Sequence, residues 1–322
     1  MAATILNFLI KGCEIYNGSK ISEAFKNKLN VIGVHYSTLS GLKRAKLKEL
    51  NSFKTQEGNP CFKPPLTTKE FEKIRFVQKE INLSYTLKEN FISLLTKNFI
   101  QKQLDMIESI SIDNFNVNPI LSKALNLNTP KDLIEYSAFQ AISRSIVTSM
   151  GYFVQNLLLF SEENVADGKN YKEGSKTKWD IVIENLNEVR EFFEIKSGFN
   201  DMDSAQVKHY AEEIEKVEKV GNSKGYIGIT YGKKDSETVT KGLLEKYLKD
   251  WEEKTLVGKD LWDYVSKEEN YHETLLRTIE ATAKTVLKNG SILKKIKSKV
   301  TVILKDFNEK YPSLDDYYTS LW

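Results

Sequence analysis

The sequence has few of the residues that zinc sites and disulfide frameworks require. Only two cysteines, Cys13 and Cys61, and three histidines occur in 322 residues, and none are grouped at zinc-ligand spacing. No glycine-rich nucleotide loop is present, and no GxSxG sequence joins a predicted strand to a following helix as a nucleophile elbow does; this disfavours the commonest nucleotide-binding and hydrolase classes. The apolar run near the start has neither the charged flank of a signal peptide nor the length of a membrane span. We therefore expect a cytoplasmic protein without zinc or disulfides.

The charges are nearly balanced. Lys and Arg together number 47 and Asp and Glu 44, for a net charge of +3. An excess this small does not identify a partner, so any surface for nucleic acid would have to be a local patch. With 40% hydrophobic residues, the chain is long enough for two domains or for one core with substantial additions.

Turn-forming segments divide the chain into three regions. Residues 1–128 have mainly helical patterns, interrupted by the Gly/Pro-rich segment EGNPCFKPPLTT. Residues 129–232 alternate between helical and strand patterns, and residues 233–322 return to helical patterns. We therefore expect an α/β core with helical additions on both sides.

Within residues 129–232 the patterns predict a helix, three strands, a helix and a fourth strand. The first helix begins with Thr129 as its N-cap and ends before Gly151. YFVQNLLLF is predicted as the first strand, and WDIVIE and VREFFEIK form a hairpin around the polar turn Asn185-Leu186-Asn187. The second helix is capped by Asp203 or Ser204, and GYIGITYG is the fourth strand.

The predicted hairpin brings two carboxylates together. Asp180 and Glu194 are equidistant from Asn187, so antiparallel pairing places them opposite each other. Alternation puts Glu194 and Lys196 on one face of a strand that is apolar on both faces. Partly buried carboxylates are unfavourable without a compensating cation, and a divalent metal ion together with the lysine would compensate them.

This constellation resembles the PD-(D/E)xK nuclease core, and specifically that of type II restriction endonucleases. The resemblance covers roughly residues 129–232, although Trp179 stands where the motif often has proline. It implies a mixed sheet flanked by helices, with Mg²⁺ held by Asp180, Glu194 and the Ile195 carbonyl oxygen. Lys196 would then orient the attacking water and stabilise negative charge on the scissile phosphate.

An upstream helix in this nuclease group often adds an acidic residue, and Glu135 is the matching position. Its spacing to Phe139, Ile142 and Ile146 places it on the apolar face of the first helix. A first-turn glutamate is also favoured by the helix dipole alone. Both interpretations remain open at this stage.

Gln206 and Tyr210 form Q-x-x-x-Y on the second helix, which resembles the extra motif of RecB-like and phage-type exonucleases. The spacing is frequent by chance, so we favour a core position for Tyr210 and an exposed or DNA-proximal position for Gln206. The motif nevertheless keeps a repair exonuclease as an alternative.

Several further residues are candidates for DNA contact. Polar residues directly after the predicted catalytic strand are candidates, although turn and cap chemistry is the more common use of such residues. Two basic clusters are candidates for backbone phosphates, although such runs are often solvated faces. The candidates are Lys43, Arg44, Asn200, Asp203, Ser204, Gln206, Lys294 and Lys295.

The resemblance implies a type II restriction endonuclease that cuts double-stranded DNA at a short site. A palindromic site would be matched by a homodimer, and a companion DNA methyltransferase would protect the host. The N-terminal region is expected to serve DNA recognition, dimerisation or both. Two alternatives stay open: a RecB-like repair or recombination nuclease, and a DNA-binding protein without catalysis.

Overall fold

The computed structural model describes residues 86–115, 117–162, 164–170, 178–183, 189–198 and 201–322. Three of the DNA-contact candidates, Lys43, Arg44 and Asn200, lie outside the described residues, as does the predicted hairpin turn Asn185-Leu186-Asn187.

Helices and short strands alternate along the described chain. The helices are α1 (Leu87–Ser109), α2 (Pro119–Ala124), α3 (Pro130–Leu159), α4 (Ser204–Lys219), α5 (Val239–Tyr247), α6 (Trp251–Lys254), α7 (Lys259–Ser266), α8 (Tyr271–Val286), α9 (Ile292–Lys310) and α10 (Leu314–Thr319). The strands are β1 (Val165–Asp167), β2 (Ile181–Ile183), β3 (Arg190–Lys196), β4 (Ser223–Ile229) and β5 (Thr255–Val257). Two single-turn 3₁₀ helices cover Ile112–Asn114 and Gly168–Asn170.

The five strands form one mixed sheet in the order β1-β2-β3-β4-β5. The first three strands are antiparallel neighbours, whereas β3, β4 and β5 run parallel. Ile181 pairs with Phe193 between β2 and β3, and Lys196 pairs with Ile229 between β3 and β4. The protein is therefore an α/β protein whose mixed sheet is flanked by helices, and α3 to β4 follow the predicted order of a helix, three strands, a helix and a strand.

The position of the first strand was predicted wrongly. Residues 152–160 were expected to be a strand, but α3 continues through Gly151 to Leu159, and β1 lies in the segment that was predicted as a loop. Buried residues recur in this stretch at Phe153, Val154, Leu157 and Leu158, which is the spacing of a helix. A glycine inside a helix costs only about 1 kcal/mol relative to alanine, so burial of this face outweighs the stop signal.

The strand β5 was missed altogether. Its three residues carry too short a pattern to distinguish a strand from the helical segments on either side. Its pairing with β4 stabilises it, with Ile229 level with Val257.

The described chain forms two compact units. The first contains the described residues up to Leu95 together with Phe153–Ile279, and it includes the whole sheet. The second contains Thr96–Tyr152 and Glu280–Trp322, and its core is formed by apolar residues that include Leu133, Ile142 and Phe307. The assignment of DNA recognition, catalysis and dimerisation to the three predicted regions stays a prediction.

Both faces of β3 are covered, as its sequence predicts. On one face Phe192 belongs to an apolar core that includes Val207 and Ile214 of α4. On the other face the ring of Phe193 stacks on Tyr226 with a centroid distance of 4.9 Å and lies 6.1 Å from the ring of Tyr264 on α7. The charged residues of β3 are therefore held in a strand that is shielded from water on two sides.

Candidate active site

The register of the hairpin places Asp180 opposite Glu194. The last strand pair is Ile181 with Phe193, so Asp180 and Glu194 are the next residues on the two chains, and the Asp180 amide donates to the Phe193 carbonyl at 3.0 Å. The Asp180 side chain turns toward β3, where its Oδ2 accepts a hydrogen bond from the Ile195 amide at 2.9 Å. The two carboxylates therefore meet across adjacent strands.

Burial makes the ionised form of Asp180 unfavourable. It raises the pKa of this carboxyl group, and the nearby negative charge of Glu194 raises it further, to about 7. The Ile195 amide and the ammonium groups of Lys196 and Lys169 act in the opposite direction and do not cancel the effect. Glu194 itself is only 7% exposed, so the pair concentrates negative charge in a partly buried place.

Lys196 supplies the positive charge nearest to this pair. Its Nζ lies 2.8 Å from Glu194 Oε1, and both side chains are largely buried. Burial lowers the pKa of Lys196, but the charge of Glu194 and its hydrogen bond outweigh this and raise the pKa overall. The ammonium group therefore stays charged at neutral pH, on the same face of β3 as the Glu194 carboxylate.

Tyr210 on α4 completes this group. Its hydroxyl lies 3.3 Å from Lys196 Nζ, and the same ammonium group is 4.9 Å from the centre of the Tyr210 ring. Burial and the neighbouring Glu194 raise the pKa of Tyr210 to about 12, so the phenol stays neutral. The ring packs against the core as interpreted, but the contact with Lys196 was not expected from the sequence. Gln206 is exposed, as expected.

For the nuclease activity that the resemblance implies, we expect Tyr210→Phe to lower kcat by about tenfold and to leave KM nearly unchanged. The ring and its contact with the Lys196 ammonium would remain, whereas one hydrogen-bonding partner, with an effect of about 1.5 kcal/mol, would be lost. Steady-state cleavage of a DNA duplex would measure both constants.

Tyr247→Phe is the matched control for this change. Tyr247 lies under two lysines, with Lys208 Nζ 4.7 Å and Lys246 Nζ 5.0 Å from its ring centre, but it is not in contact with the carboxylate pair. Equal losses in the two variants would mean that Tyr210 has no particular role at Lys196.

Gln155 of α3 binds the main chain of Asp180. Its Nε2 donates to the Asp180 carbonyl at 2.7 Å, and the Gly168 amide donates to the same oxygen at 3.2 Å. Gln155 was not among the predicted site residues, because residues 152–160 were predicted to form a strand. Their helical spacing of buried residues was the signal that could have found it.

The predicted orientation of Glu135 was wrong. Glu135 is exposed and Phe139 is 51% exposed, whereas Ile134, Ala138 and Ile142 are buried. The buried face of α3 is thus shifted by one residue from the predicted one, because the face that includes the small Ala138 packs better into the core than a glutamate does. A role for Glu135 at the metal stays a prediction.

The remaining candidates for DNA contact lie on the surface. Asp203 is the N-cap of α4, and its Oδ1 accepts from the Gln206 amide at 2.9 Å, so it serves the cap as one interpretation predicted. Ser204 begins α4 and is exposed, and Lys294 and Lys295 are exposed in the first turn of α9. Contact of these side chains with DNA stays a prediction.

The site offers only oxygen atoms as metal ligands. Within the part of the chain that the structure describes, no group of three or more His, Cys, Asp and Glu side chains converges. The acidic side chains that meet at this site are those of Asp180 and Glu194. Successive backbone carbonyl groups of a strand point to opposite neighbouring strands. The Phe193 carbonyl points to β2 and the Lys196 carbonyl to β4, so the Ile195 carbonyl points to the β2 side, where Asp180 lies. Two carboxylates and one carbonyl fit Mg²⁺, which keeps several of its waters.

A family model described as Type II restriction endonuclease EcoO109I matches residues 87–287. The match covers more than half of the chain and includes the hairpin, Tyr210 and all five strands. The chain belongs to this family. Membership in the EcoO109I family confirms the resemblance to type II restriction endonucleases, which are nucleases that act on DNA. A search of curated proteins found no match. None of the described helices is long and apolar enough to cross a membrane.

Proposed function

We propose that the protein is a Mg²⁺-dependent type II restriction endonuclease that hydrolyses phosphodiester bonds at a short site in double-stranded DNA. The observation that carries this proposal is the group of Asp180, Glu194 and Lys196 on two adjacent strands of a chain that belongs to the EcoO109I family. The arrangement of these three residues in a mixed sheet between helices supports a PD-(D/E)xK core.

The chemistry of the proposed reaction matches the residues at the site. Mg²⁺ held by Asp180, Glu194 and the Ile195 carbonyl would neutralise charge at the scissile phosphate and lower the pKa of a bound water. Lys196 contributes a fixed ammonium group that orients the attacking water and stabilises developing negative charge. Its partly buried position strengthens this interaction, because the surrounding dielectric constant is lower than that of water.

The proposal extends to the partners of the enzyme. A palindromic recognition site is read most simply by two copies related by a two-fold axis, so we propose a homodimer. A companion DNA methyltransferase in the same system would protect host DNA, as a functional rather than a physical partner. We place the system in the cytoplasm, where both enzymes meet the DNA.

A second candidate function is a RecB-like repair or recombination nuclease. The observation that favours it is the position of Tyr210, the last residue of Q-x-x-x-Y, at hydrogen-bonding distance from Lys196. A DNA-binding protein without catalysis is the third candidate, and the juxtaposition of two carboxylates and a lysine in a costly, partly buried position argues against it.

Incubation of the purified protein with unmethylated phage DNA, with Mg²⁺ or with EDTA, separates these functions on a gel. Discrete fragments that appear only with Mg²⁺ are the expected result. A smear would favour the exonuclease, and intact DNA in both lanes would favour the binding protein.

A further inference from the structure

The parallel strands β3 and β4 have their carboxyl ends side by side, next to Lys196. Because Lys196 pairs with Ile229, the segments that follow run side by side, with Gly198 level with Tyr231. An alanine Cβ at Gly198 would lie 2.7 Å from the Tyr231 hydroxyl oxygen. The Tyr231 side chain is nevertheless 64% exposed. Its hydroxyl group thus lies against the backbone two residues after the catalytic lysine.

The turn after Tyr231 has a defined backbone. Gly232 has a φ of 121°, which glycine adopts readily, and a Cβ built on Gly258 would lie 2.7 Å from the Gly232 carbonyl oxygen. Gly258 in turn donates from its amide to the Ile229 carbonyl at 2.8 Å. The backbone of Gly232 therefore packs closely against that of Gly258 at this end of the sheet.

Lys233 follows this turn and is exposed. It makes no ion pair with any residue that the structure describes. Its neighbour Lys234 is engaged differently, because its ammonium group bonds the Glu252 carbonyl and lies 5.8 Å from the ring centre of Trp251. Of these two lysines, Lys233 is the exposed one, and it lies two residues beyond Tyr231.

We propose that Tyr231 and Lys233 bind backbone phosphates of the DNA strand next to the scissile phosphate. The proposal rests on the proposed nuclease function and adds a binding surface to the same site. Neighbouring strands lie about 4.8 Å apart, so side chains that follow β4 lie within reach of a DNA backbone that passes over Lys196 at the end of β3. A tyrosine hydroxyl and a lysine ammonium both donate to phosphate oxygens without reading the base sequence.

Two carboxylates accompany this surface in the flanking loops. Asp201 is engaged by the Gly198 amide, which donates to its Oδ2 at 2.8 Å. Asp235 is exposed two residues after Lys233. With these two carboxylates beside it, the surface is not a broad basic patch. Binding there depends on two donors, the Tyr231 hydroxyl and the Lys233 ammonium group.

The salt dependence of DNA binding tests the proposal, with Lys224→Ala as the matched control for Lys233→Ala. Both lysines are exposed; Lys224 lies in β4 near its amino end, and Lys233 lies beyond the carboxyl end of the same strand. Binding of the full chain to a DNA duplex would be measured by fluorescence anisotropy, with Ca²⁺ in place of Mg²⁺ and a gel to verify that the duplex stays intact.

Lys233→Ala should weaken binding several-fold on all duplex sequences and lower the slope of log K against log salt by about 1. Lys224→Ala and Lys233→Arg should leave the slope unchanged. Tyr231→Phe should weaken binding about threefold without a change in slope, because the lost donor is neutral. Gly198→Ala should act like Tyr231→Phe, since the added methyl group displaces the hydroxyl.

Equal slopes for Lys233→Ala and Lys224→Ala would overturn this proposal alone if the wild-type protein still cuts DNA with Mg²⁺. A wild-type protein that neither binds nor cuts duplex DNA would overturn the proposed function as well. Thermal unfolding of each variant verifies that the fold is intact.

Discussion

Asp180→Asn is expected to abolish DNA cleavage and, in the absence of metal, to make the folded protein more stable at pH 8. Cleavage is lost because the amide cannot replace the charge of the carboxylate that we propose as a Mg²⁺ ligand. The gain in stability has a separate cause, the cost of keeping a carboxylate ionised beside Glu194 in a partly buried position.

The sign of this second effect follows from the pKa of Asp180. In the unfolded chain an aspartate has a pKa of about 3.9, whereas burial and Glu194 raise the pKa of Asp180 to about 7 in the folded protein. The folded state therefore holds this proton more tightly, and the free energy of unfolding decreases as the pH rises from about 4 to about 7. Asparagine removes this contribution, so the variant should lose less stability over the same interval.

Thermal unfolding at pH 5 and pH 8 in EDTA would measure the difference. Each kcal/mol of relieved cost corresponds to about 2–4 °C in Tm for a domain of 150–250 residues. Asp260→Asn is the control, because Asp260 is an exposed aspartate in the same compact unit. A variant at Asp180 that cuts DNA at the wild-type rate would remove this residue from the site. If the pH dependence of Tm were the same in the Asp180 variant as in the wild type, the pKa of Asp180 would not be raised in the folded protein.

Lys196→Ala is expected to lower kcat by about 10²- to 10³-fold, the cost of removing one fixed donor to developing negative charge. Binding of DNA should be largely retained, since other contacts with the backbone remain. The variant should also be less stable without metal, because the largely buried Glu194 side chain would lose its ammonium partner at 2.8 Å.

Lys254→Ala is a closely matched control for this change. Lys254 Nζ lies 2.8 Å from Glu218 Oε2, the same separation as in the Lys196–Glu194 pair, and the exposed fractions of the two lysine side chains are 18% and 17%. The Lys254 variant should retain kcat. If both variants lost activity to the same extent, a general loss of stability rather than chemistry at Lys196 would be responsible. Single-turnover cleavage together with Tm would separate the two effects.

The amino-acid sequence by itself determined the centre of the candidate site. The alternation of side chains along a strand and the pairing of two nearby strands are local properties. They place Asp180 opposite Glu194, turn Lys196 to the same face, and predict a strand that is covered on both sides. The N-cap of α4 at Asp203 was also predictable, because a cap depends on the residues of a single turn.

Only the tertiary structure decided which distant residues surround this centre. The continuation of α3 past Gly151 depends on burial of its apolar face against the rest of the protein, and this continuation brings Gln155 to Asp180. The strand β5 exists through its pairing with β4, and the contact between Tyr210 and Lys196 depends on how α4 packs on the sheet. Such contacts join residues that are far apart in the chain, and their energies depend on complementary shapes that no local pattern encodes.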